Sequence, residues 1–437
     1  MLMNKEKFII NGLSGRKTLS GSISVNGAKN SALKALASVF LFEDGLRLKN
    51  VPNIADVKQI ILLLEDLGVK VSVPRKDEYH LNVEKIKKTD LDATISSQLR
   101  ASIVLTGPIL TRLGRVSFPH PGGCVIGERP IDIFLSSFKK MGAKIKVAHS
   151  PKGSKYVIES KGRLKGAEIF LPNQSVTVTE TIMMAATLAE GKTVIKNVAM
   201  EPEITDLANF LNSCGAKIKG AGTSTIEITG VKILKSKKKA YKIPADRIEA
   251  GSFLLLGVLC ARNLEIKNCD PSTLESLIET LKHSGVNLKI GKNNIKITNN
   301  LKKNSAFRAV NIKTHEYPGF PTDLQAPMTV FLTQASGDST VFETIFEGRL
   351  GYTEGLIRMG AKITNWDDHH IMIKGPNTLR AKELESPDLR AGLAFIIAAI
   401  VAKGQSVIHN IHYIDRGYEE IEERLKKIGV NIKRIKE

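Results

Sequence analysis

One short pattern recurs six times along this chain, and it limits the architecture more than any other feature. A helical run ends in Gly, a small or β-branched residue follows, then Lys or Asn, then an apolar strand. The copies are Leu67-Gly68-Val69-Lys70, Met141-Gly142-Ala143-Lys144, Cys214-Gly215-Ala216-Lys217, Ser284-Gly285-Val286-Asn287, Met359-Gly360-Ala361-Lys362 and Ile428-Gly429-Val430-Asn431. Successive glycines lie 74, 73, 70, 75 and 69 residues apart. A near-constant period marks a repeated supersecondary unit, and glycine after a helical run marks a helix C-terminus.

Each unit reads as two helices and several strands. In the third, residues 180–190 form a buried helix stopped by Gly191, 192–197 a strand, and 205–213 an amphipathic helix stopped by Gly215. The same order is expected over 32–42, 47–50 and 54–67, over 251–261, 264–268 and 271–283, and over 392–402, 406–410 and 417–428. The second and fifth units follow from their matching glycine-terminated helices. Runs such as LLLGVLCA and GLAFIIAAIVA are apolar all round, so these helices belong in a core with strands around them. The economical arrangement is an α/β (α+β) chain of two lobes, three units each, with helices inside and sheets outside. The lobes are expected at 22–244 and at 1–21 with 245–437, with the polar connector 235–242 (KSKKKAYK) at the break. A strand over 7–10 would complete a sheet of the second lobe. The chain then crosses twice, near 20–27 and 243–246, and paired crossings make a hinge.

Composition excludes several classes. No stretch approaches the roughly 20 apolar residues of a membrane span, and 393–402 is apolar but too short. No N-terminal apolar segment with a cleavage site is present, so no signal peptide is expected. Four cysteines, Cys124, Cys214, Cys260 and Cys269, show no CxxC spacing, which suggests free thiols in a reducing cytoplasm. The net charge of +20 invites a nucleic-acid reading. Against it, pairs such as Lys139-Lys140 and Lys426-Lys427 fall on polar helix faces, and the 5% of aromatic residues form no stacking stripe beside the basic runs.

The copies differ where their helices begin. First helices open at Gly27-Ala28-Lys29-Asn30, Ser97-Gln98-Leu99-Arg100, Ser175-Val176-Thr177, Asp246-Arg247, Pro321-Thr322-Asp323 and Asp388-Leu389-Arg390. Second helices open near Arg129-Pro130-Ile131-Asp132, Glu201-Pro202-Glu203, Arg349 and Asp415-Arg416. A helix N-terminus suits anions, so a cation there does not serve the helix. Lys29, Arg129, Arg349, Arg390 and Arg416 therefore look placed for an external anion, with the two lobes forming a shared polyanion-binding cleft. The competing reading pairs each arginine with a neighbouring acid, as Asp388 with Arg390.

The most irregular segment is FPHPGGCVIGERP, 118–130, which reads as a lid. Cys124 sits on it just ahead of Glu128 and Arg129, where a guanidinium would raise its thiolate fraction. Cys214 and Cys260 fit buried core instead. Asp323 precedes a helix and fits a cap; facing arginines, it would also suit orienting or deprotonating a substrate hydroxyl.

These motifs, in this order and on these repeats, resemble the UDP-N-acetylglucosamine enolpyruvyl transferases of peptidoglycan synthesis, essentially end to end. The specific pieces are Gly27-Ala28-Lys29-Asn30, Leu99-Arg100-Ala101-Ser102-Ile103, Pro121-Gly122-Gly123-Cys124 with Gly127 and Arg129-Pro130, and Glu201-Pro202-Glu203. Phe320-Pro321-Thr322-Asp323, Asp388-Leu389-Arg390-Ala391 and Asp415-Arg416-Gly417-Tyr418-Glu419 complete the set. The related shikimate-pathway transferase would carry Lys-Ser where Lys29-Asn30 stands and no PGGC loop. The resemblance implies a two-lobed inside-out α/β barrel of six βαβαββ-type repeats. It implies that phosphoenolpyruvate is protonated at its methylene carbon and attacked by the sugar 3′-hydroxyl, and that the adduct then loses phosphate.

The resemblance also implies site residues. Lys29, Arg129 and Arg416 would hold the phosphate, with Arg349 and Arg390 near the carboxylate. Cys124 would be the proton donor, covalent partner and fosfomycin target. Asp323 would act on the sugar hydroxyl with Asn30 as helper. Arg100, Arg129, Pro130, Ile131, Asp132, Ile133, Ser175, Val176, Asp323 and Ile345 would contact the nucleotide sugar. It implies no metal or other cofactor, since arginines supply the electrostatics, and neither nucleic-acid nor membrane partners for a monomer or weak homo-oligomer. The chain departs from the common pattern at Val104, Glu128, Phe134, Asn173 and Thr177, all in the first lobe. A paralogue with another nucleotide-sugar acceptor and a non-catalytic anion- or nucleic-acid-binding module are the alternatives.

Overall fold

The computed structural model describes residues 6–122, 130–150, 153–298 and 306–436. The chain divides into two compact units. The N-terminal unit holds the described residues between Gly27 and Pro244, and the C-terminal unit holds 6–26 and those from Ala245 onward. Each unit has its own hydrophobic core.

All six repeat glycines lie in the left-handed region, at φ of 105, 89, 106, 89, 102 and 100°. Glycine reaches that region without the Cβ penalty of other residues. Each follows an outer helix: Ala55–Leu67, Asp132–Lys140, Pro202–Ser213, Glu275–His283, Thr353–Arg358 and Ile421–Lys426. The recurring sequence pattern is thus a helix stop repeated six times.

Each repeat also supplies one inner helix. In the N-terminal unit these are Lys29–Ala37 with its 3-10 continuation Ser38–Leu41, the 3-10 turn Arg100–Leu105 leading into Thr106–Leu113, and Val176–Thr187. In the C-terminal unit they are Arg247–Cys260, Gln325–Leu332 and Leu389–Val401, which pack on one another. Every residue of Leu389–Val401 and of Gln325–Leu332 is buried, as expected of helices with no polar face.

Among the described residues six sheets surround these helices, three per unit. Five have four strands in one scheme: a parallel edge strand, the strand that follows the inner helix, then two antiparallel strands. The sixth, Arg115–Pro119 with Gly153–Glu159 and Lys144–Ser150, has three, and the isolated parallel bridge between Asp90 and Ser117 stands where its edge strand would be. Every sheet is open, so the sheets wrap helices and no strand set among the described residues closes into a hydrogen-bonded barrel.

Two edge strands are exchanged. Leu19–Ser24 precedes the first inner helix yet pairs with Ala261–Lys267, while Ala240–Lys242 precedes the fourth and pairs with Leu46–Lys49. The exchange accounts for two crossings of the chain, after Asn26 and after Pro244. It also changes the reading of the connector 235–242, whose last residues are a sheet strand. The strand Glu6–Asn11 fills the inner position of the last sheet, between Gln405–His409 and Asn431–Lys436.

Several boundaries differ from the sequence expectation. The helix expected over 180–190 begins at Val176 and ends at Thr187, so Gly191 lies just before the following strand, Lys192–Lys196, instead of closing the helix. The helix expected over 417–428 is shorter: it spans Ile421–Lys426 and follows a 3-10 turn over Ile411–Arg416. Gly417 caps the end of the 3-10 turn and so lies outside the helix.

Candidate active site

In the C-terminal unit two repeats, the fifth and the sixth, deliver one cluster. Asp323 lies in the 3-10 turn Thr322–Leu324, Arg349 opens the turn Arg349–Tyr352, and Arg390 is the second residue of Leu389–Val401. Arg349 Nη2 is 2.7 Å from Asp323 Oδ1, and Arg390 Nη2 is 2.9 Å from Asp323 Oδ2. Arg390 Nη1 also donates to the Tyr418 hydroxyl at 3.1 Å. Both arginine side chains are buried, while the Asp323 side chain keeps 26% of its surface exposed.

Burial alone would push the Asp323 carboxyl up. The charges of Arg390 and Arg349, with their hydrogen bonds, override it and hold the group well below the usual carboxylate range. Asp323 is thus a firmly ionised carboxylate and, in this state, a weak base. Arg349 and Arg390 do not stand unpaired for an external anion; they share Asp323. The neighbour pairing of Asp388 with Arg390 takes another form. Asp388 Oδ1 caps the helix by accepting from Arg390 N at 2.7 Å and Ala391 N at 3.1 Å, which leaves the guanidinium to Asp323.

Arg416 does not open a helix. It closes the 3-10 turn Ile411–Arg416, where a cation favours the helix dipole. Its neighbour Asp415 binds Arg434 at 2.7 Å, and Arg434 also holds Glu422 at 2.6 Å and Glu6 at 2.8 Å. Three acidic residues on one guanidinium fix this turn against the last strand. Ile345, half-buried, donates its N–H to Glu343 Oε1 at 2.9 Å.

In the N-terminal unit Lys29 is the first residue of its helix, and no side chain caps that helix. Its Nζ lies 2.7 Å from Asp56 Oδ2, with side-chain exposures of 12% and 4%. Asn30 follows, half-buried. Sequence reasoning missed Asp56. It is the acidic residue of the first turn of Ala55–Leu67, a position that needs no function. Arg100 Nη1 donates to Pro121 O at 3.0 Å and so holds the start of the 118–130 segment. Gly122 belongs there because a Cβ would lie 2.0 Å from Ser97 O. Cys124 and Arg129, with Glu128, lie outside the described residues. Pro130 and Asp132 are exposed, Ile131 is buried, and Ile133 and Val176 are half-buried. Ser175 caps Val176–Thr187, accepting from Val178 N at 3.4 Å. Of the departures from the family pattern, Val104 and Phe134 are core residues, Asn173 is exposed and Thr177 half-buried.

A second buried ionic group was not legible in the sequence. Glu180, in the apolar run of Val176–Thr187, is fully buried with Lys34 Nζ 2.9 Å from Oε2, yet neither oxygen accepts a well-directed hydrogen bond. Glu201 and Glu203 are buried too, and their charges add to the effect of burial, which pushes Glu180 up to about 7 against the pull of Lys34. The described cysteines, Cys214, Cys260 and Cys269, are free and buried. Burial pushes the Cys260 thiol up to about 12 and Cys269 to about 11.

The EPSP synthase (3-phosphoshikimate 1-carboxyvinyltransferase) profile matches residues 13–425. A UDP-N-acetylglucosamine 1-carboxyvinyltransferase of Halothermothrix orenii is 42% identical over 436 residues, 98% of this chain and 100% of that one. Among solved structures, the enolpyruvyl transferase NikO from Streptomyces tendae superposes with a TM-score of 0.85 at 20% identity, covering 99% of this chain and 100% of its own. EPSP synthase from Acinetobacter baumannii gives 0.74 at 19% identity, again covering 99% and 100%. At those identities the solved structures establish the fold alone, whereas the profile and the curated relative establish kinship: the chain belongs to the EPSP synthase family, on the branch of the UDP-N-acetylglucosamine 1-carboxyvinyltransferases.

Proposed function

We propose that this protein transfers the enolpyruvyl group of phosphoenolpyruvate to the 3′-hydroxyl of UDP-N-acetylglucosamine, the first committed step of peptidoglycan synthesis. The observation that carries the reading is full-length identity near 40% to enzymes of that name. The Asp323–Arg349–Arg390 cluster supports it with suitable chemistry. The methylene carbon of phosphoenolpyruvate gains a proton from Cys124. The sugar 3′-oxygen bonds to C2 as its hydroxyl proton passes to Asp323. The C2–O bond to phosphate then breaks, C3 returns a proton, and the enol ether remains. Lys29, Arg129 and Arg416 take the phosphate, Arg349 and Arg390 the carboxylate, and Asn30 assists Asp323. Arg100, Pro130, Ile131, Asp132, Ile133, Val176 and Ile345 frame the nucleotide sugar, with Ser175 as the cap beside them. An anion seated on Arg349 and Arg390 offsets the charges that hold Asp323 ionised, so the carboxylate becomes a better base when the substrate is bound.

The protein acts in the cytoplasm on small molecules, as a monomer or weak homo-oligomer. None of the described helices is long and apolar enough to cross a membrane. The test is phosphate release from phosphoenolpyruvate across a panel of nucleotide sugars and shikimate 3-phosphate. Release is expected with UDP-N-acetylglucosamine. Release only with another acceptor would overturn the substrate assignment, and none with any would overturn the activity.

A further inference from the structure

Glu343 is fully buried, and although the Arg349 charge acts on it, none of the described lysines, arginines or histidines forms a salt bridge with it. A buried carboxylate outside a salt bridge is costly unless several donors satisfy it, and three do. Thr322 Oγ1 donates to Oε2 at 2.9 Å, and the N–H groups of Ile345 and Phe346 reach Oε1 at 2.9 and 3.3 Å. The donors come from two separate stretches. Thr322 immediately precedes Asp323. Phe346 O accepts from Arg349 N at 3.2 Å, so the other stretch ends on Arg349. Glu343 therefore braces both supports of the 2.7 Å contact between Asp323 and Arg349. Its own backbone is held independently, with Glu343 N donating to His369 O at 2.8 Å and Glu343 O facing His369 Nδ1 at 2.7 Å. Thr314 forms a separate tie: it accepts from Thr344 N at 2.8 Å, binds the Thr344 hydroxyl through its carbonyl at 2.6 Å, and bridges Phe320 just before Thr322. The fold at this point has another anchor, and the carboxylate adds aim.

We propose that Glu343 is a positioning residue for enolpyruvyl transfer: through Thr322 on one side and the 345–346 N–H groups on the other, it sets the spacing of Asp323 and Arg349. The proposal rests on the activity proposed above. A misplacement of about 1 Å at a reacting group costs on the order of a hundredfold in rate, so small slack matters here.

Thr322 gives the cleanest test, because it can be changed without emptying the buried site. Thr322→Val keeps the side-chain shape and removes the bond to Glu343, and Thr322→Ser restores it. We expect Thr322→Val to lower kcat about 10- to 100-fold, with KM for UDP-N-acetylglucosamine within a few-fold of wild type, and Thr322→Ser to recover most of kcat. Glu343→Leu should lower kcat at least as far, and adding Thr322→Val to it should cost nothing more, since the Thr322–Glu343 bond is already absent. Equal impairment of the Val and Ser variants, or wild-type kcat in Thr322→Val, overturns the proposal. A wild type inactive with every acceptor overturns the activity instead. The brace is then decided by a crystal structure of Thr322→Val: a lengthened Asp323–Arg349 contact supports it, and an unchanged 2.7 Å contact refutes it.

Discussion

Removing the Asp323 carboxylate should strengthen anion binding while abolishing turnover. Arg349 and Arg390 each give one charge-assisted hydrogen bond to Asp323, at 2.7 and 2.9 Å. An incoming carboxylate or phosphate must compete with at least one of these bonds and also suffers the repulsion of the aspartate. Hydrogen bonds to charged groups contribute about 1.5–3 kcal/mol net, so freeing one guanidinium should tighten binding of an anion about 10- to 150-fold. Asp323→Ala removes the competitor and the charge; Asp323→Asn removes the charge but leaves one oxygen acceptor, so its gain should be smaller. Isothermal titration with phosphoenolpyruvate, without nucleotide sugar, reads the effect directly. Circular dichroism and thermal unfolding must establish that each variant is folded, because two buried guanidinium groups lose their partner. Both variants should lose phosphate release. Unchanged or weaker phosphoenolpyruvate binding in a folded Asp323→Ala protein would refute the claim that Asp323 latches these arginines.

Three further outcomes follow from the buried groups. With three thiols buried and two of them pushed to about 12 and about 11, fosfomycin or brief iodoacetamide treatment of the native protein should add a single adduct, at Cys124. Intact-mass analysis finding several adducts, or one on another cysteine, would contradict this. Glu180 binds a proton more tightly folded than unfolded, about 7 against 4.5, so its contribution to stability falls as pH rises through that window, by at most about 3 kcal/mol. Glu180→Gln should flatten the dependence of Tm on pH between about 5 and 8 whatever its absolute offset, and parallel profiles for the two proteins would argue against the raised carboxyl. Arg390→Lys should cut kcat/KM by at least about tenfold, because an ammonium lacks the planar fork that serves Asp323 and Tyr418 together; wild-type kinetics would mean that the two contacts are dispensable.

The architecture was legible because helix stops are local. Gly68, Gly142, Gly215, Gly285, Gly360 and Gly429 each sit where only a residue without a Cβ turns freely, so the repeat appears in the sequence as a repeated letter. The apolar inner helices were legible for a similar reason, since a helix buried on every side has no polar face to record. What escaped depends on distant partners. The exchange of Leu19–Ser24 and Ala240–Lys242 between sheets leaves no local trace, and the polar run 235–242 disguised a strand as a linker. In the site, the residue types at Asp323, Arg349 and Arg390 were legible but their mutual pairing was not. Asp56 and Glu343, which support Lys29 and Asp323, are acidic residues whose meaning lies in contacts 27 and 21 positions away.

Capping divides the six inner helices into two sets. Three inner helices begin with a side-chain cap, from Ser175, Asp246 and Asp388, and a capped start spends its free N–H groups on its own chain. The other three begin without one, at Lys29, at Arg100 and at Thr322–Asp323. All three carry charged candidates for substrate contact. Arg390 is the instructive exception: its helix is capped by Asp388, so its backbone N–H is occupied and only the guanidinium is presented. A sixfold scaffold can therefore diverge with little cost to its cores, because a helix start tolerates either arrangement: one side chain closes it for stability, and its absence leaves polar groups for a ligand. On this argument Ser175 acts mainly as a cap, and Ser175→Ala should lower stability by about 1 kcal/mol while leaving the KM for UDP-N-acetylglucosamine within a few-fold of wild type. A large rise in KM with unchanged Tm would instead make Ser175 a substrate contact and not a cap.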